Sequence, residues 1–393
     1  MKILLIHNYY RNWGGEDAYF NSLTNLLVKK GHTVQTYTKD NKDIKTIFQR
    51  ICVALGMLWN PLVENELSIK IKKFAPDIVQ FQNIYPLIGP TAYWVCNKNN
   101  IPAIQRISNY RSLCPKGTLF RNSAICQLCI NRSYPYPSIL HHCYHESRIG
   151  SFFLSNSLYL SRKFNASSLV KKFIFPSKFT REYFKKNLAL PNNKLVVVPT
   201  FIENMSPQEN IKKGDYFIYV GRLAEEKGIL FLLDLFVELP GIKLIVVGNG
   251  PLASKISQYK KCKNIKFTGY LSKRYIRKYM QKAIATIIPS LCFDVLPQVL
   301  IESYREGTPV IAPCMGSFPS LVQQNITGFL YEERNRSQLR SYIQYSVRNK
   351  KKMYELGQSG NKLYKRTYHS SVHYQSLIKI YSDAINSRSK TRD

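Results

Sequence analysis

The sequence predicts an α/β protein of two domains, each built on a doubly wound parallel sheet. Three observations carry that expectation. Through Met1–Pro199 short apolar runs alternate with helical patterns, and such alternation argues a parallel sheet with helical crossovers. A stretch with two prolines and few consecutive apolar residues, Pro199–Pro207, then reads as a linker. Beyond it the alternation starts again at Tyr216, and 393 residues are enough for two separate cores.

The first-domain strands are expected at Ile3–Ile6, Val34–Tyr37, Ile78–Gln80, Ala103–Ile107, Phe173–Phe175 and Leu195–Val198, with helices such as Ala18–Lys29 and Tyr85–Lys98 between them. Sheets of this kind bind ligands at the carboxyl ends of their strands. The turn after the first strand, Asn8 to Asp17, contains Gly14-Gly15. Two glycines let backbone approach a ligand closely or simply make a tight turn, and Glu16 and Asp17 suit the cap of the helix that begins near Ala18. In the second domain, strands are expected at Tyr216–Val220, Lys243–Val247, Ile265–Phe267 and Ile287–Ile288, and a helix at Leu296–Glu306.

Charge separates this chain from an ordinary globular protein. Its 57 Lys and Arg against 24 Asp and Glu give a net charge of +33, although hydrophobic content is a usual 45%. Such an excess suits polyanionic company or, more plainly, solvated cationic faces. Pro251–Lys282 alone holds ten cations and no carboxylate. From Arg148 to Lys186 cations recur among aromatic and aliphatic residues, a pattern suited to an anionic membrane surface or to amphipathic helices in water. No nucleic-acid motif accompanies the charge, so nucleic acid is not an expected partner.

No run reaches the ~20 apolar residues that cross a bilayer, since Ile51–Val63 is short and broken by Trp59-Asn60-Pro61. Lys2–Ile6 is too short for a signal-peptide core and reads as a buried strand. The expected compartment is the cytoplasm, where the nine cysteines stay reduced.

The chemistry is concentrated between Gly221 and Glu302. The Tyr216–Val220 run leads into Gly221-Arg222-Leu223, with Lys227-Gly228 close behind. Pro289-Ser290 leads to Asp294 and, eight residues later, Glu302. Arg222 and Lys227 suit a diphosphate, and Asp294 and Glu302 suit sugar and ribose hydroxyls, which together describe a nucleotide-sugar site. Taken singly, either cation is equally at home in a surface ion pair.

These pieces resemble the nucleotide-binding half of the family 4 retaining glycosyltransferases (glycosyl transferases group 1). The family pattern G-R-hydrophobic-x-x-x-K-G, P-S, E-x7-E and G-x-P-V-I is met here by Gly221 to Gly228, Pro289-Ser290, Asp294-x7-Glu302 and Gly307-Thr308-Pro309-Val310-Ile311, with Asp replacing the first Glu. The resemblance implies the GT-B fold, in which two Rossmann-like domains face a cleft. It assigns residues 1–200 to acceptor binding, 208–370 to the nucleotide sugar and 371–393 to a helix and tail crossing back to the first domain. It implies a nucleoside diphosphate sugar donor, a carbohydrate or lipid-linked acceptor, retention at the anomeric carbon and no catalytic metal ion. On the family's pattern Arg222 and Lys227 neutralise the leaving diphosphate, Glu302 binds ribose, Asp294 holds sugar hydroxyls, and backbone N–H groups at Val295 and Leu296 meet sugar or phosphate. On the same pattern Gly14 and Gly15 border the donor phosphate and the acceptor, Gly221 lies on the diphosphate turn, and the turns at Gly248 and at Tyr270-Leu271 border the nucleotide base.

The run His7-Asn8-Tyr9-Tyr10 to Gly14-Gly15-Glu16-Asp17 resembles a subgroup of that family, as does Asn109-Tyr110-Arg111 with the cysteines that follow. Within the insertion 108–150, Cys114, Cys126, Cys129 and Cys143 are spaced C-x11-C-x2-C-x13-C. Either a structural zinc ion or a set of reduced thiols fits that spacing. Two departures bear on competence. Gln80-Phe81-Gln82-Asn83 stands where related sequences have H-x-H-N, and Ser108 stands where they have a histidine near the transferred sugar. Neither replacement carries a cationic form, so the alternative function is a catalytically weakened nucleotide-sugar-binding or scaffold subunit. His7 falls at the end of the first strand, where a histidine serves structure as readily as ligand.

Overall fold

The computed structural model describes residues 1–203 and 214–389; Asn204–Pro207 of the expected linker and the last residues of the tail lie outside them. The chain divides into two compact units. Unit 1 comprises Met1–Leu119, Gln127–Thr200 and Ser371–Asp393, and unit 2 comprises Phe120–Cys126 and Phe201–Ser370.

The strands of unit 1 are β1 (Lys2–Tyr9), β2 (Thr33–Asp40), β3 (Ile78–Phe81) and β4 (Ala103–Arg106). A two-stranded hairpin follows in unit 2, β5 (Phe120–Arg121) and β6 (Ala124–Ile125), and then β7 (Lys172–Phe175) and β8 (Leu195–Val197) complete the first sheet. Its order is β2-β1-β3-β4-β7-β8 and every pair is parallel. Ile3, Leu4, Leu5 and Ile6 are almost wholly buried, as a strand covered on both faces requires. The second sheet contains β9 (Tyr216–Val220), β10 (Lys243–Val247), β11 (Ile265–Gly269), β12 (Thr286–Ile287), β13 (Val310–Pro313) and β14 (Gly328–Tyr331). Its order is β11-β10-β9-β12-β13-β14, again all parallel.

Each sheet reverses direction once, between β1 and β3 in unit 1 and between β9 and β12 in unit 2. At such a reversal the crossovers diverge to opposite faces and leave a crevice beyond the strand ends. The turn at Gly221 follows β9 and the Pro289-Ser290 run follows β12. Both halves of the motif therefore sit at the switch point of their sheet.

The helix Ile229–Val237 buries Ile229, Leu232, Leu233, Leu235 and Phe236 among Phe217, Leu244 and Val246 of β9 and β10. Each fully buried side chain of this size contributes about 1.5–3 kcal/mol, so the turns at these strand ends project from a stiff base. Two expected helices are shorter than expected. The Tyr85–Lys98 pattern is helical only over Thr91–Lys98, because Pro86 and Pro90 lack an N–H and Gly89 has φ +72°. The Leu296–Glu306 pattern is helical over Gln298–Arg305, with Pro297 as its cap.

Candidate active site

Three chain segments at the end of the second sheet lock together through backbone. Gly221 N–H donates to the Val247 carbonyl (3.0 Å) and Leu223 N–H to that of Asn249 (3.0 Å). Gly248 has φ +140°, and a Cβ there would lie 1.9 Å from the Gly221 carbonyl oxygen, so only glycine allows this approach. On the other side Leu291 N–H donates to the Glu226 carbonyl (2.9 Å). Gly228 has φ +67°, and a Cβ there would lie 1.8 Å from the Pro289 carbonyl oxygen. The Gly221–Gly228 turn is thereby held against both the β10 end and the β12 end.

That contact brings Lys227 to Asp294. The Lys227 ammonium and Asp294 Oδ1 form an ion pair, while Ser290 Oγ donates to Asp294 Oδ2 at 2.5 Å. Ser317 Oγ donates to the Asp294 carbonyl at 2.7 Å. Burial works against the Lys227 charge, but the Asp294 carboxylate outweighs it and holds the lysine above its ordinary pKa. The lysine side chain keeps 32% exposure, so its charge is both fixed and reachable. Arg222 is 60% exposed and stands 4.0 Å from Glu226.

Glu302 lies on Gln298–Arg305, the helix that leaves the β12 end. Burial raises the pKa of its carboxyl and Glu306 adds to the rise, against the opposing charges of Arg305 and Lys273. The carboxylate has no side-chain partner among the described residues. Val295 and Leu296 occupy the loop before Pro297, where Leu296 packs against the cluster containing Leu300 and Tyr304. Tyr270, just past β11, is 82% exposed, whereas Leu271 packs toward Ile218 and Val247. Ser290, Glu226 and Ser317 were given no role from sequence. Ser290 could have been found from its place in the P-S pair.

In unit 1, Gly14 caps the helix Gly15–Lys29, and Asp17 reaches back to accept from Gly14 N–H at 2.8 Å. Asp17 also accepts from Tyr10 N–H at 3.3 Å and pairs with His7 Nε2 at 2.8 Å, both side chains fully buried. His7 thus belongs to the framework of the Gly14-Gly15 turn. Glu16 accepts from Tyr10 Oη at 2.7 Å and Asn109 Nδ2 at 3.2 Å, and the Arg111 guanidinium lies over the Tyr10 and Tyr144 rings. Two of the three positions that depart from the family pattern meet: Gln82 Nε2 donates to Ser108 Oγ at 2.5 Å.

The cysteines do not assemble as a zinc centre requires. Among the described residues no group of three or more His, Cys, Asp or Glu is placed to share a metal ion. The residues as arranged do not fit a four-thiolate site. Among the described residues no helix is long and apolar enough to cross a membrane.

Two parallel six-stranded sheets, each with one switch point, match the GT-B fold of solved glycosyltransferase structures. Residues 201–363 match the family profile described as "Glycosyl transferases group 1". Sucrose-phosphate synthase from Thermosynechococcus elongatus superposes with a TM-score of 0.72 at 15% identity, over 98% of this chain and 99% of that one. Anabaena HepE in complex with UDP-glucose gives 0.67 at 14% identity, over 98% and 100%. In sequence, the chain is 29% identical over 187 residues to the lipopolysaccharide 1,2-N-acetylglucosaminetransferase of Salmonella typhimurium, covering 40% of this chain and 48% of that protein. It is 27% identical over 149 residues to the O-antigen biosynthesis glycosyltransferase WbnH of Escherichia coli, covering 37% and 42%. The chain thus spans less than half the length of these relatives.

Proposed function

We propose that this protein is a metal-independent, retaining hexosyltransferase that moves a sugar from a nucleoside diphosphate sugar to a carbohydrate or lipid-linked acceptor in surface polysaccharide or glycolipid assembly. The observation that carries the reading is the Lys227–Asp294 pair at the β9/β12 switch point, with exposed Arg222 on the same turn and Glu302 on the helix that leaves β12. Lys227 and Arg222 place two fixed positive charges where negative charge grows on a departing diphosphate, and such charges act without reorganisation cost. Glu302 accepts hydrogen bonds from ribose hydroxyls. Asp294, oriented by Ser290 and Lys227, offers its remaining acceptor capacity to the transferred sugar. It is one methylene shorter than the glutamate of the family pattern, which suits a different set of sugar hydroxyls. Relatives that act on lipopolysaccharide and O-antigen support the acceptor class.

The test is release of nucleoside diphosphate by purified protein across a panel of nucleotide sugars, with and without membrane lipid extract. Release from one donor, abolished in Lys227→Ala, supports the enzyme and names its sugar. Tight donor binding with no release on any acceptor assigns the chain instead to a weakened binding subunit, the outcome that the Gln82–Ser108 contact in place of histidine would then explain.

A further inference from the structure

Three strand ends of the first sheet bring together polar atoms that the fold leaves unmatched. Tyr10 and Glu16 follow β1, Gln82 follows β3, and Ser108 to Arg111 follow β4, strands that lie side by side in the order β1-β3-β4. Glu16 Oε2 accepts from Tyr10 Oη and from Asn109 Nδ2, which also donates to Tyr10 Oη at 3.0 Å. Asn109 Oδ1 in turn accepts from Arg111 N–H at 2.9 Å. Yet Glu16 Oε1 and Arg111 Nε are buried with no hydrogen-bond partner among the described residues. Gln82, 3% exposed, is in the same position: its Nε2 serves Ser108, and its buried Oε1 has no partner among them. A folded chain leaves few buried polar atoms unpaired, so three at adjacent strand ends mark a place that a ligand completes.

Trp13 stands in the same loop, 60% exposed. Its ring is held in place by stacking on Tyr9 at 6.0 Å and 17°, and Tyr9 is itself edge-on to Phe20 and donates Oη to Asn21 at 2.7 Å. Three residues along the chain from Glu16, its Cα lies within about 11 Å of that of Glu16. A fixed, exposed aromatic face near hydrogen-bonding groups suits a sugar ring, whose C–H edges pack on the electron-rich face while its hydroxyls turn to the polar atoms.

The unmatched atoms select the ligand. Glu16 Oε1 and Gln82 Oε1 only accept, and Arg111 Nε only donates. A hydroxyl answers both kinds, whereas an ionised phosphate brings acceptors alone and would leave two buried oxygens facing its charge. The Glu16 charge is opposed by Arg111, by buried Arg106 and, on the loop, by exposed Arg11, so hydrogen-bond direction decides here rather than net charge. We propose that these residues bind the saccharide terminus of the acceptor, with its hydroxyls on Glu16, Gln82 and Arg111 and a sugar ring on Trp13. The acceptor is then a chain that already carries sugar, whatever anchors it, and not a bare lipid phosphate. This assignment rests on the transferase reading proposed above and narrows its acceptor. It places the reaction after another sugar transfer, which must supply the saccharide.

The experiment is binding of the full chain to an array of immobilised oligosaccharides in the presence of nucleoside diphosphate, with farnesyl phosphate and inorganic phosphate as competitors. Retention is expected on saccharides that share a terminal residue, and neither phosphate should displace the protein. Trp13→Ala and Glu16→Gln should each weaken that binding by about tenfold with nucleoside diphosphate affinity kept. Trp13→Ala, at an exposed position, should also keep the thermal midpoint, so it tests the site even where Glu16→Gln loosens the Tyr10–Asn109 network. Saccharide binding unchanged in both variants, displacement by farnesyl phosphate, or no saccharide held by a chain that binds nucleoside diphosphate overturns the assignment. A folded chain that binds no nucleoside diphosphate sinks the transferase reading instead, whatever the array shows.

Discussion

Lys227 and Asp294, 67 positions apart, meet as an ion pair that joins the turn after β9 to the loop after β12. Each residue fixes the other's side chain, and neither segment could hold its functional group in place alone. The pair yields a test that separates its two members. Lys227→Ala should weaken nucleoside diphosphate binding by about tenfold and lower kcat/KM by on the order of 10³, the cost of removing a preorganised charge. Asp294→Asn keeps the cation and removes its competitor, so diphosphate affinity should stay level or rise while transfer falls. Isothermal titration and steady-state kinetics read the two effects; equal losses of affinity in both variants would reduce the pair to a structural tie.

Glu302 should trade stability for binding. Its folded pKa is raised by burial and by Glu306, so the folded state keeps the proton in a range where the unfolded chain has released it. Stability is therefore lost as pH rises through that range. Glu302→Gln should melt higher than wild type at pH 7, and the difference should close below about pH 4, where the unfolded carboxyl is protonated too. Donor affinity should drop in the same variant by about tenfold or more, the loss of a charged acceptor for hydroxyls. A lower melting temperature at neutral pH would show that the carboxylate is stabilising as an ion.

Gly228 carries the most local constraint. At φ +67°, with a Cβ 1.8 Å from the Pro289 carbonyl oxygen, Gly228→Ala strains the backbone and pushes the Lys227 turn off the Pro289–Leu291 segment. The expected cost is about 2–4 kcal/mol in chemical denaturation, with diphosphate affinity reduced because Lys227 moves. Gly241, whose Cβ position has nothing within 4 Å and whose φ is not left-handed, is the control: Gly241→Ala should leave both unchanged.

How much of this was legible in sequence depends on the range of the interaction. Strand cores such as Ile3–Ile6 and Lys243–Val247 announce themselves because a parallel strand is apolar along its whole length, and Gly221, Lys227, Pro289 and Asp294, singled out by their order in sequence, lie together at the β9 and β12 ends. The helical pattern before Lys98 was over-read because apolar periodicity continues through Pro86 and Pro90, where the backbone cannot. The Ile51–Val63 run was weighed only as a membrane span, since periodicity defines a face without saying whether it points inward. The His7–Asp17 pair and the Gln82–Ser108 bond depend on which strand ends lie side by side. For the four cysteines spacing left a zinc site and a set of reduced thiols equally open, because it does not say which thiols the tertiary fold brings together.

The C-terminal helix Ser370–Ser389 offers a pH-dependent prediction. His373 is buried in unit 1, where Nδ1–H donates to the Pro199 carbonyl at 2.7 Å and Nε2 accepts from Tyr19 Oη at 3.0 Å. Both ring nitrogens are engaged in the neutral tautomer. Burial and then the Arg106 guanidinium, which also lies over the Tyr19 ring at 4.1 Å, push the pKa of His373 down to about 3, against the hydrogen bond to the Pro199 carbonyl that raises it. A histidine depressed in the folded state stabilises the fold above its unfolded pKa of about 6.5, and that contribution is lost as pH falls below it. The loss approaches about 1.4 kcal/mol per pH unit for a single proton. His32 and His145 are shifted in the same direction, so the comparison must be between wild type and His373→Gln. From pH 7 to pH 5 the wild type should lose about 2 kcal/mol more than the variant in denaturant unfolding. The far end of the helix is tied down separately, where Tyr381 Oη donates to Gln80 Oε1 at 2.6 Å. Parallel pH profiles for the two proteins would mean that His373 is protonated within the fold without cost.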